Sequence, residues 1–172
     1  MLNQNYFTQV AVRANNFLIR RTILSIIMLA TSVCAQANQP SYHGSSISYS
    51  VKGDFEDVKE NLVMAIEAEG AVISYTAHSS EMLNRTAITL EIEEVIYGKA
   101  EILLFCKAEL SHKMVQADPH SLVLCPYPIS IYTLLSAPDI VYLTIRKPAN
   151  QPKEYGAVHQ LLTKIILEAI DL

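Results

Sequence analysis

The residues able to do chemistry gather in the stretch from Cys106 to Tyr132. Cys106 and Cys125 bracket His112 and His120, with Ser111, Lys113 and Met114 between them and Tyr127 and Tyr132 just beyond. Two cysteines in an oxidising compartment read first as a disulfide. Eighteen residues separate them, and closing a loop of that size stabilises a fold by about 3 kcal/mol in the chain-entropy view. The same pair admits a redox role, although no Cys-x-x-Cys spacing is present to depress a thiol pKa. Two buried free thiols are a further reading. Cys106, His112, His120 and Cys125 taken together make two sulfurs and two imidazoles, a donor set suited to zinc or copper. Their spacing matches no standard metal motif.

Other chemistry finds less support. No Gly-x-Ser-x-Gly elbow is present, and five glycines in 172 residues form no phosphate-cradling loop. Ser111 and His112 are not a nucleophile–base dyad, because neighbours on a helix point about 100° apart. Glu91, Glu93 and Glu94 read as a solvated acidic face. His78 precedes Ser79-Ser80 and is placed to project into a cleft, while Arg85 and Lys113 are isolated cations suited to an anionic ligand or a surface ion pair. Tyr127 and Tyr132 flank a strand and either line a pocket or pack. The ligand-binding candidates are therefore His78, Arg85, His112, Lys113, Tyr127 and Tyr132. No catalytic residue is assigned, and no cofactor is expected.

Hydrophobic periodicity supplies the elements that position these groups. Ile47, Tyr49 and Val51 alternate with serines, which predicts a half-buried strand. Asp54 caps a helix whose stripe is Phe55, Val58, Leu62, Ala65, Ile66 and Ala68, and Gly70 stops it. A strand over 71–75 follows, then a short helix over 81–90 capped by Ser79 and Ser80. The pattern next predicts strands at 95–97 and 101–106, and a helix over 108–117 closed by Asp118-Pro119. Residues 122–145 are almost uncharged, but Pro126, Pro128 and Pro138 break the run and its Val, Ile and Tyr content suits strands. Three are expected, at 121–125, 129–135 and 140–146. Pro148 and Pro152 mark a linker, and an amphipathic helix over 154–172 ends the chain. Strands in runs with helices between and after them predict an α+β, two-layer domain: an antiparallel sheet with helices packed on one face.

The N-terminus carries Arg13, Arg20 and Arg21 and no acidic residue, followed by an apolar run of about 11 residues from Ile23. That is the pattern of a cleaved signal peptide, and the run is too short for a permanent anchor, which needs about 20 apolar residues. Val33-Cys34-Ala35 and Ala35-Gln36-Ala37 are both suitable cleavage sequences. Thr31-Ser32-Val33 lacks the aliphatic-then-small pattern of a lipidated cysteine, and the Arg20-Arg21 pair only partly resembles a twin-arginine signal. The expected organisation is a signal peptide over 1–37 cleaved near 35–37, a flexible lead-in over 38–45, and one domain over 46–172. Removing the three leader arginines leaves 10 basic against 17 acidic residues, a net of about −7. So acidic a domain repels phosphate backbones and anionic membranes, so nucleic acid is not an expected partner and no membrane span is expected to remain.

Met82-Leu83-Asn84-Arg85-Thr86, the stretch FCKAELSHKMVQADPHSLVLCPYPISIY from Phe105 to Tyr132, and VYLTIRKP from Val141 to Pro148 resemble the exported branch of the family called domain of unknown function 302, DUF302. The likeness runs over about Ser46 to Leu172. It implies an α+β fold with an antiparallel sheet, and homodimers. The family has no settled activity, so the resemblance assigns no catalytic residues.

The sequence thus predicts a periplasmic or secreted domain, non-catalytic, that binds a small ligand or an envelope protein near Cys106–Tyr132. The alternative is a redox or metal-handling protein using Cys106, His112, His120 and Cys125.

Overall fold

Alternating burial along the strands builds one sheet with two unlike faces. The computed structural model describes residues 39–147, 153 and 155–172. In chain order they form β1 (Ser41–His43), β2 (Ser46–Lys52), α1 (Phe55–Ala68), β3 (Val72–Ala77), α2 (Ser79–Thr89), β4 (Tyr97–Cys106), α3 (Ala108–Ala117), a 3-10 helix (Pro119–Leu124), β5 (Tyr127–Leu134), β6 (Ala137–Arg146) and α4 (Tyr155–Asp171). The strands lie in the order β1-β2-β6-β5-β4-β3, and each neighbouring pair is antiparallel. The fold is α+β, as the periodicity predicts. Among the described residues no helix is long and apolar enough to cross a membrane.

One face is apolar because side chains alternate along a strand. Tyr127, Ile129 and Ile131 of β5, Val141, Leu143 and Ile145 of β6, Ile47 and Tyr49 of β2, and Leu103 and Phe105 of β4 are all buried on it. Two amphipathic helices cover this face. α1 contributes Phe55, Val58, Leu62, Ala65 and Ile66; α4 contributes Val158, Leu161, Leu162, Ile165 and Ile166 among others. These residues and Met114 of α3 form one hydrophobic cluster. Leu62, Ile66, Ile165 and Ile166 are fully excluded from solvent, which is where most of the stabilisation resides, at roughly 1.5–3 kcal/mol per side chain of this size.

Local chemistry fixes the helix ends. Asp54 Oδ1 accepts from the backbone N–H of Glu56 at 2.8 Å, capping α1. Gly70, at φ +69°, supplies the left-handed turn that releases the chain into β3. Glu69 then fastens this corner. Its carboxylate takes Lys107 Nζ at 3.0 Å and also Lys164 Nζ of α4.

The opposite face is half-exposed. Tyr132 stacks on Tyr142 with centroids 5.2 Å apart, and Tyr97 meets Tyr132 edge-on at 5.4 Å. Ser48 and Thr144 share a hydrogen bond of 2.7 Å between them.

Several expectations are corrected. Ser41–His43, expected within a flexible lead-in, pair with β2 as the hairpin strand β1. Residues 121–125, expected as a strand, belong to the 3-10 helix and its cap. Asp118 Oδ1 accepts from His120 N–H at 3.0 Å and Pro119 opens the first turn, so local capping overrides the β propensity of Leu122 and Val123. The two strands expected at 95–97 and 101–106 are one strand with a register shift between Tyr97 and Ala100. α2 starts at Ser79, with His78 at the N-cap position and no side-chain capping hydrogen bond, so neither serine caps it. Ser80 instead serves the sheet, accepting from Ala100 N–H at 3.1 Å where β3 has ended and left β4 an open edge. α2 therefore lies beside that edge. The leader and its cleavage site, and the linker prolines at 148 and 152, lie outside the described residues.

Candidate functional site

Cys106 ends β4 and Cys125 follows the 3-10 helix, and the two are joined in a disulfide with Cα atoms 6.4 Å apart. The bond is set by the β4–α3–3-10–β5 connection, which leaves along β4 and returns antiparallel along β5 beside it. α3 then determines which side chains meet it. Ser111 points inward: its hydroxyl lies 2.8 Å from the Tyr127 hydroxyl, 3.1 Å from the Lys107 carbonyl and 3.6 Å from Cys125 Sγ. His112, one residue on, is exposed. The helix thus separates these neighbours as its 100° step requires. A pocket of about 300 Å³ opens on the disulfide and is lined by Ser111, His112, Val115 and Leu122 beside the two cysteines. Its walls are largely apolar.

Tyr127 is fully buried within the core, edge-on to Phe105 at 6.3 Å. Burial pushes its hydroxyl pKa up, with the Ser111 hydrogen bond acting weakly against that shift. It stays protonated at any physiological pH and supports Ser111 from below. The structure thus places Tyr127 under the pocket and out of its lining.

The other candidates lie apart from this pocket. His78, at the β3–α2 corner, faces Glu101 with Nδ1 3.2 Å from Oε1, and Lys59 Nζ of α1 lies 2.7 Å from the other oxygen of Glu101. This group continues to Glu56 and Lys99, whose ion pair is 2.9 Å long. The hydrogen bond from Lys99 holds the Glu56 carboxyl below its usual range. Beside it a cleft of about 580 Å³ is lined by Lys52, Asp54, Lys99 and Asp139, among others. Lys113 pairs with Glu109 at 2.7 Å across one helical turn, with both groups exposed, a contact worth little. Arg85 stands exposed on α2 and makes no ion pair among the described residues. Tyr132 lies in the tyrosine row of the open sheet face. The six ligand-binding candidates are therefore not gathered into one site.

The four candidate metal ligands are not assembled either. Cys106 and Cys125 are bonded to each other, which leaves no thiolate to ligate, and among the described residues no group of three or more His, Cys, Asp and Glu could hold a metal ion. Sequence reasoning missed Ser111 as a partner of Cys125 and Tyr127, because those contacts span 14 and 16 residues. It also missed Glu101, whose two partners come from different elements.

Residues 47–169 match the model of the family described as Domain of unknown function DUF302. The chain belongs to the DUF302 family. A similar solved structure is that of an uncharacterized conserved DUF302 protein from Bacillus stearothermophilus, 13% identical, with a TM-score of 0.53 over 75% of this chain and 98% of that chain. At that identity the likeness shows a shared DUF302 fold. No curated protein matches the chain.

Proposed function

We propose that this DUF302 chain is an exported, non-catalytic binding and interaction module that acts outside the cytoplasm as a homodimer. The observation that carries this reading is α2. None of its residues is buried, and Met82, Leu83, Ile88 and Leu90 present apolar side chains to solvent, continued by Ile92, Val95 and Ile96. An amphipathic helix with no fully buried residue and an apolar side turned to solvent is a surface for another chain.

A second copy fits its chemistry. Arg85 and Glu91, Glu93 and Glu94, exposed within the same stretch as these apolar residues, have no ion-pair partners among the described residues. A two-fold axis makes residue i meet j while j meets i, so an unpaired arginine and an unpaired acidic stretch in one apolar segment can pair with their counterparts in a second copy. Export is supported by the arginine-bearing, apolar leader and by a disulfide suited to an oxidising compartment.

Light scattering on the mature protein tests the assembly. A dimer is expected, and Ile88→Glu with Leu90→Glu should yield a monomer with unchanged far-UV circular dichroism and a thermal midpoint lowered by the lost association. A monomeric parent protein overturns the dimer. N-terminal sequencing of protein from the envelope fraction should begin at Gln36 or Asn38; Met1 retained in cytosolic protein overturns export.

A further inference from the structure

We infer that the Cys106–Cys125 disulfide is an exchangeable bond through which the domain captures thiol-bearing partners as mixed disulfides, with Cys106 attacked and Cys125 leaving. A disulfide that only staples a fold has no need of an approach path. This one borders an open pocket of about 300 Å³ lined otherwise by Ala108, Ser111, His112, Val115 and Leu122. Both cysteines are only half-buried.

The two sulfurs are not equivalent. Cys125 packs against the hydrophobic cluster and has the Ser111 hydroxyl 3.6 Å from its Sγ. Among the described residues Cys106 has no such donor. The Tyr127 hydroxyl, 2.8 Å from Ser111 Oγ, can donate to that oxygen, leaving the serine proton free to turn from the Lys107 carbonyl toward sulfur. A hydrogen bond to a thiolate is charge-assisted and stronger than one to a neutral sulfur. Ser111 therefore stabilises Cys125 as the departing thiolate more than as half of a disulfide, which directs attack to Cys106.

The step balances without an outside oxidant. The partner's thiol gives its proton to solvent, and its thiolate attacks Cys106 Sγ. A new S–S bond forms to the partner as the Cys106–Cys125 bond breaks, and the electron pair leaves on Cys125, which takes a proton from water. A partner with a second thiol can then displace Cys106, leaving itself oxidised and the protein as a dithiol.

The probe is reduced glutathione, added to the folded, oxidised mature protein and quenched with iodoacetamide before peptide mapping by mass spectrometry. Glutathione is expected on Cys106 and the alkyl group on Cys125, with far-UV circular dichroism unchanged. Ser111→Ala should slow adduct formation about tenfold. Tyr127→Phe should slow it by a smaller factor, and it carries the test if Ser111→Ala does not fold. The inference is overturned if no adduct forms until denaturant is added, if glutathione is found on Cys125, or if the folded hydroxyl variant reacts at the parent rate.

Discussion

Lys107 Nζ and Glu69 Oε2 lie 3.0 Å apart, tying the residue after Cys106 to the end of α1. Lys164 of α4 reaches the other oxygen of the same carboxylate, so one acidic side chain, itself mostly buried, joins three elements beside the disulfide. The hydrogen bond from Lys164, then that from Lys107, hold the Glu69 carboxyl below its usual range. A carboxyl depressed on folding contributes stability that is fully present above the ordinary carboxylate range and is lost as pH falls through that range toward the folded value. Both lysines are partly exposed, so solvent screening limits the effect to about 1 kcal/mol. Urea unfolding of Glu69→Gln should show that loss at pH 7 and a smaller one near pH 3. A loss equal at both values would show that the ion pairs are not its cause.

Leu62 of α1 is completely excluded from solvent within the core cluster. Leu62→Ala should cost about 2–5 kcal/mol, combining lost transfer energy with a cavity that α1 and α4 cannot close. Exposed Met64, two residues along on the same helix, should tolerate Ala within about 0.5 kcal/mol. Equal losses at the two positions by chemical denaturation would contradict this assignment of the α1 faces.

The Cys106–Cys125 bridge has a structural consequence separate from exchange. Replacing both residues with Ser should lower stability by about 3 kcal/mol, since it frees the intervening loop in the unfolded chain. The variant should still fold, because the core lies under α1 and α4. Calorimetry that finds no change in midpoint would show that the bridge does not constrain the unfolded state.

The parts of this fold legible in the sequence were those set by local patterns. α1 announces itself through the Asp54 cap and its stripe, and β2 through the alternation of Ile47, Tyr49 and Val51 with serines. The 121–125 error has the opposite origin. Leu122 and Val123 look like strand residues, yet both are exposed because Asp118 and Pro119 wind the backbone before any strand can pair. At the candidate site, counting cysteines was enough to expect the bridge. The Tyr127–Ser111–Cys125 contacts were not legible, because they exist only once α3 is laid beside the start of β5.

Gly98 shows a constraint of the same tertiary kind. It sits in the irregularity between Tyr97 and Ala100, and a Cβ there would fall 2.9 Å from Thr133 Oγ1. That oxygen is itself held, accepting from Lys99 N–H at 3.1 Å, and Thr133 is buried. Gly98→Ala must therefore displace the threonine or the strand, costing about 1–3 kcal/mol. Thr133→Ala costs about 1–3 kcal/mol for a different reason, since it leaves the Lys99 N–H without its acceptor. It also removes the atom that the new methyl would strike. The double variant should then lose clearly less than the two single losses combined, with a coupling of at least about 0.5 kcal/mol. Strict additivity in urea unfolding would mean that the methyl and the hydroxyl do not compete for the same space.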